Sequence, residues 1–109
     1  MTTQGPTFGQ TISKARKEKS LSQKDLAGII LKEEDSTAIS PQYLNDIEHD
    51  RRSPTSDHLI RQFAKALDLK EDLLFVLAGK IPEDVRRRIR NTDQAAEAFM
   101  SFRTSITKK

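Results

Sequence analysis

Apolar residues along this chain recur three and four positions apart and almost nowhere alternate, which is the periodicity of helices. Phe8, Ile12 and Ala15 fall at that spacing among Lys14, Arg16 and Lys17, predicting a first helix over 7–19. Ser20-Leu21-Ser22 breaks the pattern. Ser22 with Asp25 three residues on is a weak capping-box signal, in which a short hydroxyl takes an orphan N–H of the first turn. It opens a second helix from Gln23 to about Leu31, with Leu26, Ala27 and Ile30 inward. Residues 32–38 are polar and apolar-poor and predict a loop, accommodated by lengthening the second helix or by bulging outward. Ser40-Pro41 is the clearest start signal, since serine caps and proline at the first helical position forfeits no hydrogen bond. The third helix then covers 41–49, with Tyr43, Leu44 and Ile47 partly or fully buried. Residues 50–54 form a loop. Thr55 or Ser56 caps a fourth helix over 56–67, with Leu59, Phe63, Ala64 and Leu67 inward, and Asp68 turns the chain. A fifth helix follows over 70–78, rich in Leu73, Leu74, Val76 and Leu77 and stopped by Gly79.

Beyond Pro82 the character changes. Val85 and Ile89 lie among Arg86, Arg87, Arg88 and Arg90, and Asn91 or Thr92 breaks or caps. Ala95, Ala96, Phe99, Phe102 and Ile106 then predict an amphipathic helix over 93–104. Residues 1–6 and the last few residues are expected to fray. The fold class is therefore all-α: a five-helix unit over 7–79, with an additional C-terminal helical segment over 80–109.

Composition narrows the chemistry. The chain has 109 residues, enough for one small domain, and its 35% apolar content allows a thin core. With no Cys there is no disulfide framework, thiolate metal site or Cys nucleophile. His49 and His58 are the only histidines; they read as surface or capping residues, and no metal is expected. No nucleophile–base set or Gly-rich phosphate loop is present, so an enzyme is not expected, and neither is a cofactor. No apolar run spans a membrane and the N-terminus has no signal-peptide pattern, which predicts a soluble, cytoplasmic protein. The net charge of +3 is unevenly placed. Lys14, Arg16, Lys17 and Lys19 make the start basic, the arginine run and terminal lysines make the end basic, and the middle is acidic. Basic ends suit nucleic acid or another acidic surface.

The third helix carries the functional signal. Ser40, Pro41, Gln42, Asn45 and Asp46 crowd its first turns with short polar groups that helix propensity does not explain. Major-groove reading does explain them: Gln and Asn can bridge adenine, Ser reads either way, and Asp accepts from cytosine. Helix N-termini also present free N–H groups to phosphates. The ordered blocks 16–27, 39–48, Arg51-Arg52-Ser53-Pro54 and 64–67 resemble the phage-repressor (lambda repressor/Cro, XRE-type) helix-turn-helix family of bacterial regulators over roughly 7–79.

That resemblance implies a five-helix domain that binds double-stranded operator DNA, usually as a homodimer, with the third helix reading bases. It places Ser40, Pro41, Gln42, Asn45 and Asp46 at base-reading positions. It places Gln23, Tyr43, Arg51 and Arg52 at phosphate-contacting positions, and pairs Arg16 with Glu48 as a structural tie. The chain departs from the family pattern at three points. The stretch from Ala27 to Tyr43 is longer and acidic, with Glu33, Glu34 and Asp35; Asp50 and Asp68 stand where the family has Gly, at turns that Asp can also adopt. The tail lies outside the pattern and is a candidate dimerisation element. A different reading stays open, in which the same fold serves as a protein-interaction module, an antitoxin or adaptor, with the tail as its docking element.

Overall fold

The computed structural model describes residues 5–54, 56–89 and 92–107. Among them run α1 (Phe8–Glu18), α2 (Gln23–Ile29), α3 (Pro41–Glu48), α4 (Asp57–Leu67), α5 (Glu71–Ala78), α6 (Glu83–Arg88) and α7 (Thr92–Thr107). The fold is all-α, a five-helix unit followed by extra C-terminal helices. Caps account for most of the starts. Thr7, Ser22, Ser40 and Ser56 each accept an N–H of the following first turn, and Thr7–Gln10 and Ser22–Asp25 are reciprocal capping boxes. The alternative α4 cap, Thr55, lies outside the described residues, as do Asn91 and the expected frayed residues 1–4.

The inward faces of α1 to α5 close over one core. Ile12, Leu26, Ile30, Leu44, Ile47, Ile60, Phe63 and Leu74 are fully buried, and Phe8 meets Phe63 edge to face at 6.2 Å. Burying a side chain of this size contributes about 1.5–3 kcal/mol. α1 lies centrally, packed on α3, α4 and α5, and α2 packs on α3, with Leu26 and Ala27 of α2 buried.

Helix ends repeat one device. Ser20, Asp50, Asp68 and Gly79 all have φ between 56° and 68°, the left-handed conformation that turns the chain out of a helix. Behind each, an N–H reaches back around the turn: Leu21 to Arg16, Arg51 to Asp46, Leu69 to Ala64 and Lys80 to Phe75. Asp50 also gains something that Gly could not supply. Its carboxylate accepts the Thr7 hydroxyl at 2.6 Å and the Gly9 N–H at 3.0 Å, so it caps the start of α1 from the end of α3.

Of the two expected accommodations between α2 and α3, the second helix is not lengthened; the segment bulges outward instead. α2 stops at Ile29, and Ile30 turns extended. Leu31 and Ala38 then form an antiparallel bridge, with Ile39 N–H bonded to Ile30 O at 2.9 Å and Lys32 N–H to Thr37 O at 2.8 Å. The physical reason is that Ile30 and Ile39 are both buried at the base of this small hairpin, whereas its acidic tip is exposed. Continuing the helix would leave Ile39 without its place in the core. α4 fixes the hairpin from the side: Gln62 accepts the Leu31 N–H and His58 donates to the Leu31 carbonyl.

Past Gly79, charged groups seat α6. Asp57 accepts from Lys80 at 2.8 Å and from the Glu83 N–H, which holds its carboxyl below the ordinary range, and Arg61 bridges Glu71 and Asp84. α7 runs to Thr107, three residues beyond its expected end, which brings Ile106 of the same apolar stripe into the helix. Its large apolar residues are exposed, including Phe99 at 50% and Phe102 at 51%.

Candidate nucleic-acid interface

α3 has two unlike faces. Leu44 and Ile47 are buried, whereas Ser40, Pro41 and Gln42 are exposed and Tyr43, Asn45 and Asp46 lie half-buried beside them. The helix has no acidic residue in its first turn, and its cap uses the Ser40 side chain for the Tyr43 N–H alone. The result is a short polar ridge at the end of a helix whose opposite face is anchored in the core.

Two networks hold that ridge in place. The first lies underneath it. Arg16, from α1, grips Glu48 bidentately, with Nε donating to Oε2 at 2.6 Å and Nη2 to Oε1 at 3.0 Å, and its Nη1 donates to the Leu21 carbonyl at 2.8 Å. Both partners are buried. Burial alone would push the Glu48 carboxyl up; the bonds from Arg16 and then Gln23, with the charge of Arg16, outweigh it and hold Glu48 below the ordinary carboxylate range. Gln23 links this pair to the surface. Its Nε2 donates to Glu48 Oε1 at 3.0 Å and to Asn45 Oδ1 at 3.1 Å, so both amide hydrogens are committed within the protein. A phosphate contact by that side chain has to displace one of these bonds. The same bond to Asn45 leaves the Asn45 amide N–H groups as its free donors.

The second network lies at the far end of α3. Asp46 Oδ1 accepts from Gln42 Nε2 at 3.1 Å and from Arg51 Nε at 3.0 Å, and Arg52 stands 3.7 Å from Oδ2. Arg52 also lies over the Tyr43 ring at 5.7 Å, a cation–π contact. The reason is local geometry. The left-handed turn at Asp50 folds the chain back so that the N–H groups of Arg51 and Arg52 both reach the Asp46 carbonyl. Both arginine side chains then leave from the base of the helix, more than half exposed.

The structure thus gathers Gln42, Tyr43, Asp46, Arg51 and Arg52 into one exposed cluster, and Arg16, Gln23, Asn45 and Glu48 into a second network behind it. Ser40 and Pro41 stand at the open end, apart from both. Sequence reasoning missed Asp50 and Gly9 as the pieces that lock the end of α3 against α1; an Asp in the place of a turn Gly was the available signal. His49 donates Nδ1–H to the Asn45 carbonyl at the end of α3, and no metal-binding cluster occurs among the described residues.

Residues 9–80 match the helix-turn-helix domain family. The chain belongs to that family, and the resemblance to phage-repressor-like regulators drawn from its motifs is borne out. No curated protein and no solved structure matches the chain. The match supports DNA binding as the role of the domain. Among the described residues no helix is long and apolar enough to cross a membrane.

Proposed function

We propose that this protein is a sequence-specific transcriptional regulator, most simply a repressor that occupies operator DNA in the cytoplasm of a bacterium. Residues 7–79 form the DNA-binding unit, and residues 80–109 join two copies. α3 enters the major groove, where Ser40, Pro41, Gln42 and Asn45 face base edges. Tyr43, Arg51 and Arg52 meet the phosphates, and Gln23 serves chiefly to orient Asn45. The carrying observation is the exposed polar ridge of α3, mounted on a buried ion pair and flanked by two exposed arginines. Phosphate contacts set affinity while base edges set the site.

The test is selection of bound duplexes from a random pool by the full-length protein. The expected product is a palindrome with half-sites about one helical turn apart. On that site, Gln42→Ala is expected to lose roughly 1–3 kcal/mol of discrimination at one base pair. An equal loss on random DNA would remove Gln42 from the reading set. Arg51→Ala is expected to weaken binding to every sequence and to shallow the salt dependence; an unchanged salt slope would exclude a phosphate contact.

The second reading, a protein-interaction module such as an antitoxin or adaptor, is favoured by one observation. Phe99, Met100, Phe102 and Ile106 of α7 are all at least half exposed. Our reading assigns this face to a second copy, because Ala95, Phe99, Phe102 and Ile106 repeat at spacings of four, three and four, the seam of a two-helix coiled coil. Truncation after Gly79 separates the readings. A regulator keeps weak binding to DNA and becomes monomeric by light scattering, whereas an adaptor was never retained on DNA and loses a different protein.

A further inference from the structure

Asp46 is a poor candidate for a base reader in the conformation the protein adopts. Its carboxylate is largely covered, with only 20% of the side chain exposed. One oxygen already accepts from Gln42 and from Arg51, and the other faces Arg52. Two guanidinium groups share one carboxylate, so the cluster carries a single net positive charge where the arginines alone would offer two. The geometry also resembles what those arginines need from DNA. A carboxylate presents two anionic oxygens to the guanidinium fork much as a phosphate does. The arginines are more than half exposed, and ion pairs at such positions are weak and readily exchanged.

We propose that Asp46 is an internal stand-in for a DNA phosphate, which occupies Arg51 and Arg52 in the free protein and yields them to the backbone when α3 seats in the groove. This rests on the reading of α3 as the DNA-contacting helix and assigns Asp46 a part in setting phosphate affinity and in positioning Gln42. It lowers affinity for DNA in general, because every encounter has to exchange the carboxylate for a phosphate. The operator requires the same exchange, and base contacts by Gln42 and its neighbours offset its cost there. Asp46 also fixes the side chain of Gln42: with one N–H of its amide held by Asp46, the orientation of the oxygen is set before DNA arrives.

The test measures binding of the full chain to one random-sequence duplex across a range of salt. Asp46→Asn keeps an acceptor for Gln42 and removes the charge. If it releases one additional phosphate contact, affinity at 0.1 M salt rises roughly eightfold and the log–log salt slope steepens by about 0.9. The gain is expected to vanish when Arg51→Gln and Arg52→Gln are already present. Glu34→Gln removes the same charge from the exposed hairpin, away from the arginines, and is expected to have a much smaller effect. Asp46→Ala, which also releases Gln42, is expected to show the same gain on random DNA and serves if the asparagine variant folds poorly.

Unchanged or weaker binding by both Asp46 variants, with an unchanged slope, would overturn the proposal. So would a gain that persists without the two arginines, or an effect confined to one cytosine of the selected site. The underlying reading fails in a different way. In that case the wild-type chain binds neither random nor selected duplexes, and the arginine substitutions change nothing.

Discussion

Replacing Arg16 by Met will cost about 3–5 kcal/mol of stability, because it strands the buried Glu48 carboxylate without its partner. The pair spans α1 and the last residue of α3, and three donors of the guanidinium are used: two on Glu48 and one on the Leu21 carbonyl. Removing Arg16 therefore leaves a buried anion and a carbonyl at the turn before α2, with the neutral donors Gln23 and Ser13 beside the carboxylate but no opposite charge paired with it. At about 4–8 °C per kcal/mol for a domain of this size, the melting temperature should fall by tens of degrees. The double variant Arg16→Met/Glu48→Leu should recover most of the loss, since two apolar side chains of similar volume replace a pair whose desolvation offsets much of its attraction. If the double variant is as unstable as the single one, packing around the guanidinium stem and not the stranded charge is the cause. Acid provides a second check. The folded pKa of Glu48 is depressed, so its contribution is fully present above the unfolded value of 4.5 and is lost as pH falls through the folded value. Glu48→Gln should flatten that acid limb of the stability curve.

The helices were legible because each carries its own punctuation. Ser22, Ser40-Pro41 and Gly79 mark starts and a stop by local chemistry, and local chemistry survives in a single sequence. The core positions followed from periodicity wherever one face alone was apolar, as in α4. The hairpin at 30–39 was not legible, because what ends α2 is the distant burial of Ile39 and the grip of His58 and Gln62 on Leu31. The end of α7 was misjudged for the opposite reason. Nothing in the core decides it, and the helix simply continues while its stripe does. At the candidate interface, residue types at the right spacing pointed to a polar α3. They could not show that Gln23 is committed to Asn45 and Glu48, or that Asp46 holds Gln42 and Arg51. Those are choices among partners of similar reach, and the turn at Asp50 bears only on the one made by Arg51.

The same limit hid the role of Gly9, and the contrast with Gly28 makes it measurable. Both glycines lie within helices, where propensity alone would favour alanine by about 1 kcal/mol. A Cβ on Gly28 would have nothing within 4 Å, so Gly28→Ala is expected to be neutral or to stabilise by about 0.5–1 kcal/mol. A Cβ on Gly9 would stand 2.3 Å from the Ile47 carbonyl oxygen, 2.6 Å from that of Glu48 and 2.7 Å from Asp50 Oδ1. Two of these are main-chain atoms at the end of α3, which cannot rotate aside. α1 would have to withdraw, and with it would go the Asp50 bonds to Gly9 and Thr7. Overpacking of this kind costs about 3 kcal/mol. Gly9→Ala should therefore lower the denaturation midpoint strongly while Gly28→Ala does not, measured by urea titration of helical signal. A stability equal to that of wild type would mean that α1 and α3 can separate without loss, and that Asp50 does not tie them. The consequence reaches the interface because the displaced turn is the one that launches Arg51 and Arg52. At a temperature where Gly9→Ala is still folded, its binding to random duplex should weaken, since the two arginines proposed to meet phosphates then start from a shifted base.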